Sequence, residues 1–129
     1  MSSNTTRLLA ASALMALFAC GRSNPASSDL VIDPVQVESV EVLVQAGDPP
    51  QASAHVRGVI GDGCSSLHSV EQARSGNTVV LTILRQRPAN AICIQIARLY
   101  DDTIHLEGAF PAGAYLLRVN GTETPFTTE

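Results

Sequence analysis

From about Leu30 to the C-terminus, apolar residues recur with a period of two. This alternation constrains the fold more than any other property of the chain. Val40, Val42 and Val44 alternate with Glu41, Leu43 and Gln45, and Ala54, Val56 and Ile60 with His55, Arg57 and Val59. Ile92, Ile94 and Ile96 alternate with Cys93, Gln95 and Ala97; Ile104 and Leu106 with Thr103, His105 and Glu107; Tyr115, Leu117 and Val119 with Leu116, Arg118 and Asn120. Each run is expected to form a strand with one face toward a core. Val79 to Leu84 is apolar on both faces and should lie centrally in a sheet. A last strand is expected from Thr122 to Thr128 around Phe126. Turn signals separate the runs at Gly47 to Pro50, Gly61 to Gly63, Ser75 to Asn77, Pro88 to Asn90, Pro111 to Gly113 and Asn120-Gly121. Asn-Gly between alternating strands is the strongest short hairpin signal. Seven to eight short strands in about 100 residues predict an all-β sandwich over residues 30–129.

The first 29 residues follow other rules. Met1 to Arg7 holds one positive charge and no acid, and Leu8 to Ala19 carries no charge. The uncharged run is shorter than the roughly 20 residues that span a bilayer, but it fits the apolar core of a secretion signal. Leu17-Phe18-Ala19-Cys20 resembles the lipobox of bacterial lipoproteins, with Phe18 bulkier than is usual. The resemblance implies cleavage after Ala19, a diacylglyceryl group on Cys20 and attachment to a membrane through lipid. Gly21 to Asp29 is small and polar and reads as a flexible tether, with a reach of roughly 15–18 Å. Gly21, where an Asp would mark retention, resembles outer-membrane sorting in hosts with two membranes. Otherwise the protein is expected on the outer face of the cell membrane. Both methionines fall within the leader, and the chain contains no Lys and no Trp.

Three cysteines are present. If Cys20 carries lipid, Cys64 and Cys93 remain as a pair in an oxidising compartment, where a structural disulfide is expected. No Cys-x-x-Cys spacing suggests redox chemistry. Phe110 to Tyr115 resembles the tyrosine corner of immunoglobulin-like domains, in which a Tyr opening the penultimate strand bonds back to the preceding loop; Gly113 lies within that corner. The turns and cysteines from Gly61-Asp62-Gly63-Cys64 through Arg74 to Asn77, Cys93 to Gln95, Pro111 to Tyr115 and Val119-Asn120-Gly121 together resemble a group of small exported bacterial lipoproteins with one immunoglobulin-like domain. That resemblance implies a fold, an immunoglobulin-like β-sandwich, and supplies no catalytic residues.

Little in the sequence points to chemistry. His55, His68 and His105 lack metal-ligand spacing, and Asp101-Asp102 lacks the further acids of a calcium loop. Ser65-Ser66 beside His68 has no nucleophile elbow. A P-loop requires Lys, so that class of nucleotide chemistry is excluded. The formal charge of −4 disfavours nucleic acid. No cofactor or metal is expected. The expected role is a non-enzymatic, lipid-anchored envelope module that binds an unidentified protein or supports structure. The alternative is an inhibitor of an exported hydrolase acting through the Gly61–Cys64 loop, which a disulfide would stiffen.

Overall fold

A computed structural model describes Gly21 and residues 29–129. The leader, Cys20 and most of the tether lie outside the described residues. The described chain is all-β, with eight strands in two sheets and no helix. The strands are β1 (Leu30–Pro34), β2 (Gln36–Gln45), β3 (Gln51–Gly61), β4 (Ser66–Ser75), β5 (Thr78–Pro88), β6 (Arg98–His105), β7 (Gly113–Val119) and β8 (Thr122–Thr128).

One sheet is the antiparallel order β2-β3-β6. The other is built around β5, which is the central strand that its apolar run predicts. On one side β5 pairs along most of its length with β4. Its other side is shared. Antiparallel β1 covers Leu84 to Pro88, and parallel β7 covers Thr78 to Leu81. β8 then pairs with β7. The two sheets bury the alternating sets: Ala52, Ala54, Val56 and Ile60 of β3 face Val79, Leu81 and Ile83 of β5 and Tyr115, Leu117 and Val119 of β7. Burying such a side chain is worth about 1.5–3 kcal/mol, which is why the period-two pattern decides the register.

Two hairpins follow from turn chemistry. Val119 pairs with Thr122 across Asn120 and Gly121, whose φ values are 46° and 86°. Both are positive, as a type I′ turn requires. Ser75 pairs with Thr78 across Gly76 at φ 59° and Asn77, which suits a Gly-first two-residue turn.

Two expectations are corrected. Ile92 to Ile96 is not a strand; it is irregular chain without ladder partners, turned locally by the Ile96 amide donating to the Ile94 carbonyl at 3.0 Å. β5 ends at Pro88 in one sheet and β6 begins at Arg98 in the other, so this segment is the crossing between them. Its isoleucines therefore meet no opposing sheet. Conversely, Ser66 to Ser75 forms strand β4, although its sequence is polar and lacks clean alternation. As an edge strand it is exposed along most of its length and needs no apolar face.

Candidate functional site at the disulfide end of the sandwich

Both chain crossings at one end of the sandwich carry a cysteine. Cys64 lies between β3 and β4, Cys93 between β5 and β6, and the two are joined by a disulfide with Cα atoms 5.5 Å apart. The cysteines stand 29 positions apart, and closing a loop of that length contributes roughly 3–4 kcal/mol through the unfolded chain. The bridge links two inter-sheet connections; it does not cross the core.

Around it stands a polar cluster. Asp62 Oδ1 accepts from the Cys64 amide and from the Ser65 hydroxyl, each at 3.1 Å, and Oδ2 accepts from Arg87 Nε at 2.9 Å. The Arg87 guanidinium also reaches the Ala91 carbonyl at 3.4 Å and Cys93 Sγ at 3.5 Å. Arg98 donates to the Ser65 carbonyl at 2.9 Å, and Arg85 to the Ile60 carbonyl at 2.7 Å. Gly61 has φ 146°, and a Cβ there would land 2.5 Å from Ser65 Oγ, so only glycine fits. At Gly63 the Ile94 backbone approaches closely, with Gly63 N donating to the Ile94 carbonyl at 3.0 Å.

Partial burial alone would raise the Asp62 pKa. Hydrogen bonds from Arg87, the Cys64 amide and Ser65, with the charge of Arg87, outweigh it and hold the carboxyl below its ordinary value of 3.8. A folded-state pKa below the unfolded one gives stability that is complete above the unfolded value and is lost as pH falls through the folded value. Asp62→Asn should therefore make the acid limb of the stability profile shallower between about pH 5 and pH 2. Urea midpoints across that range test this, and identical limbs for both proteins would refute it.

Asp62, Cys64 and Cys93 each place a ligand-type atom within 4.8 Å of the others. Disulfide sulfurs are not thiolates, however, and a thiolate is what a metal binds. The carboxylate is already occupied by a guanidinium. In this oxidised form the cluster is a structural brace for the crossing segment.

What the brace displays is apolar. Ile92 is fully exposed, Ile94 is 73% exposed, Ile96 54% and Leu99 72%. Leu30, Val31 and Ile32 of β1, also exposed, pair with Pro88, Arg87 and Gln86 at the same end. Adjacent exposed apolar residues of this number mark an interaction surface more often than chance exposure does.

The other sequence candidates are dispersed. Ser65 is buried and bonded to Asp62, while His68 Nδ1 lies 2.9 Å from Gln86 Oε1, so the Ser-His pair is not assembled. His55 Nε2 is 2.6 Å from Asp101 Oδ1, and Arg57 Nε reaches Oδ2 at 3.3 Å. The His55 hydrogen bond, with help from Arg57, holds the Asp101 carboxyl below its ordinary value. A shallow concavity of about 250 Å³ beside this trio is lined by Glu38, Arg57, Gly58, Leu99, Tyr100 and Asp101. Burial first, then the Asp102 charge, push the Tyr100 phenol up to about 12, so it stays protonated at neutral pH. No Ser or Cys among the described residues is hydrogen-bonded to the His55 ring, so the trio has no nucleophile to activate. Asp102 is spent on the Thr103 amide at 2.9 Å. At the corner before β7, the Tyr115 hydroxyl donates to the Pro111 carbonyl at 2.6 Å. The sequence did not reveal the Asp62–Arg87 pair, whose members stand 25 positions apart. The one local signal was an acid between two turn glycines.

Comparison with known proteins agrees with this architecture and assigns no chemistry. A protein of Herpetosiphon aurantiacus, described as an uncharacterised 10.2 kDa protein in the HgiCIIM 5′ region, is 34% identical over 86 residues, covering 67% of this chain and 92% of the relative. Another from that organism, in the HgiBIM 5′ region, is 32% identical over 72 residues, covering 56% of this chain and 88% of its own. No solved structure matches the chain. Residues 54–128, from β3 to the end of β8, match the ORF11 beta-sandwich domain. The chain belongs to the ORF11 beta-sandwich domain family.

Proposed function

We propose that this protein is exported, acylated on Cys20 and held at a bacterial membrane, where the sandwich serves as a non-enzymatic binding or structural module of the cell envelope. The observation that carries the reading is the use of cysteine. The Cys64–Cys93 bridge takes two of the three, and the third ends the lipobox-like Leu17-Phe18-Ala19-Cys20. Disulfides of this kind belong to oxidising, exported settings. The dispersal of Ser65, His68, His55 and Asp101 into separate pairings supports a binding role over a hydrolytic one. Inhibition through the Gly61–Cys64 loop draws less support, because those residues are partly buried and the Asp62 carboxylate is engaged inside the fold.

Mass spectrometry of the N-terminal peptide tests the anchor. The expected result is cleavage after Ala19 with diacylglyceryl on the Cys20 thiol, abolished by Cys20→Ser. An unmodified Cys20, or cleavage elsewhere, overturns it. Capture of one envelope protein by the acylated chain from detergent-solubilised membranes would identify the partner, and the Gly61–Cys64 alternative predicts that this partner is a hydrolase.

A further inference from the structure

We infer that the disulfide-braced crossing from Ala91 to Ala97 is a membrane-docking surface, whose isoleucines enter the headgroup and acyl boundary of the bilayer that carries the anchor. The inference rests on acylation at Cys20.

The position of the tether's entry into the fold favours a bilayer as the occupant. The Asp29 carbonyl accepts from the Ala89 amide at 2.8 Å, and Leu30 pairs with Pro88. The chain preceding the sandwich therefore meets it three positions from Ile92. The nine residues from Gly21 to Asp29 can span at most about 30–32 Å. The end of the sandwich that bears the exposed isoleucines is thus held close to the lipid surface, and the apolar contact becomes an intramolecular event. A weak intrinsic preference for lipid is enough under that condition.

Charge does not oppose insertion, and rigidity favours it. No Asp or Glu occurs from Arg85 to Tyr100, while that stretch contains Arg85, Arg87 and Arg98. The nearby acids are matched in part: Asp62 by Arg87 at 2.9 Å, and Asp33 by Arg85 at 3.8 Å. With Asp29 at the same end, three arginines stand beside three acids, so the end is close to neutral and its preference for lipid is apolar. The segment is also fixed before it meets lipid, by the bridge at Cys93 and by the Gly63–Ile94 and Ile96–Ile94 backbone hydrogen bonds. Little ordering remains to oppose insertion.

The absence of Trp from the chain makes the test direct. Ile92→Trp places a single indole at a fully exposed position, and Ser75→Trp places one on the exposed β4–β5 hairpin as the control. Each processed full chain is purified in detergent from whole cells and reconstituted into phosphatidylethanolamine–phosphatidylglycerol vesicles with brominated acyl chains. Acylation is read by mass spectrometry on the same sample. The indole at position 92 should shift to the blue and be quenched by bromine, and the one at position 75 should not. Adding Ile94→Asp to Ile92→Trp should lower the inserted-to-free ratio about tenfold or more. An acylated chain without quenching at position 92 overturns docking and leaves the anchor standing. Quenching without acyl on Cys20 does the reverse. A blue shift without quenching means that a protein, including a second copy, covers the segment, and it overturns docking. So does equal quenching at both positions, or quenching that survives Ile94→Asp.

Discussion

Truncation of Phe110 to Ala should destabilise the sandwich by about 3–5 kcal/mol, a large share of the 5–15 kcal/mol available to a domain of this size. The core is otherwise filled by Ala, Val, Leu and Ile with Tyr100 and Tyr115, and Phe110 is its largest fully buried side chain. Its ring meets Tyr115 edge-on at 5.3 Å between centroids and leans on Phe126 at 5.8 Å. The Arg74 guanidinium lies 4.5 Å from the Phe110 ring centroid and donates to the Ala109 carbonyl at 2.6 Å, so it covers the ring from the β4 side. Collapse into the vacated volume is resisted from two directions. Tyr115 is tied to the Pro111 carbonyl, and the Thr128 hydroxyl donates to that same oxygen at 2.7 Å. The Phe110 amide is bonded to the Pro50 carbonyl, which fixes the loop that carries the ring. Urea denaturation of Phe110→Ala against the parent measures the loss. A change below about 1 kcal/mol would mean that the site repacks freely and that the aromatic cluster is not a rigid plug.

How far this structure could be read from its sequence depended on whether a residue's environment was local. Strands β3, β5, β7 and β8 were legible because their inward faces meet a sheet and alternate accordingly. The Asn120-Gly121 and Gly76-Asn77 turns were legible because positive φ needs particular residue types. The β4 edge strand was not, since Ser66 to Ser75 is held by its ladder with β5 and by no apolar stripe of its own. Ile92 to Ile96 carries the alternation of a strand, but period two does not say what lies opposite the apolar face. Here nothing in the described fold does, and the same pattern that suggested a buried strand becomes the argument for an external surface. The cysteine pairing could be read by counting; its setting beside Asp62 and Arg87 could not, because two sheet crossings bring those residues together.

The family match and the docking proposal concern different parts of the same end. Residues 54–128 include the bridge, the polar brace and the exposed crossing, whereas the tether and its Cys20 precede the match. The crossing is thus part of the family's domain, and the proposed anchor stands outside it. On this division the brace sets the shape of the crossing, and the anchor determines what the crossing faces.

Asn120→Ala should cost about 3–5 kcal/mol, although the sequence marks Asn120 only as a hairpin residue. Its side chain occupies the point where β1 and β7 meet end to end beside β5. There Nδ2 donates to the Val35 and Ile83 carbonyls, each at 2.8 Å, and Oδ1 accepts from the Ile83 amide at 2.9 Å. Its own amide donates to the Leu81 carbonyl at 3.2 Å. One amide group thus continues the ladder across a gap that neither strand covers. Removing it strips these partners from the Ile83 N–H and the Val35 carbonyl, while the Ile83 carbonyl keeps the Val35 amide at 2.9 Å, at about 1–3 kcal/mol for each orphaned group that stays dry. Ala at φ 46° adds roughly another 1 kcal/mol of left-handed strain. Asn120→Asp separates the two contributions. It keeps a side chain that tolerates positive φ but turns an oxygen toward the Val35 and Ile83 carbonyls, so it should be at least as damaging as Asn120→Ala at neutral pH. Asn120→Gly relieves the strain without restoring the bonds and should recover only the smaller part. Chemical denaturation of the three variants decides between the explanations. Near-parental stability of Asn120→Gly would show that turn conformation alone is what Asn120 supplies, and would overturn its role as the link between β1, β5 and β7.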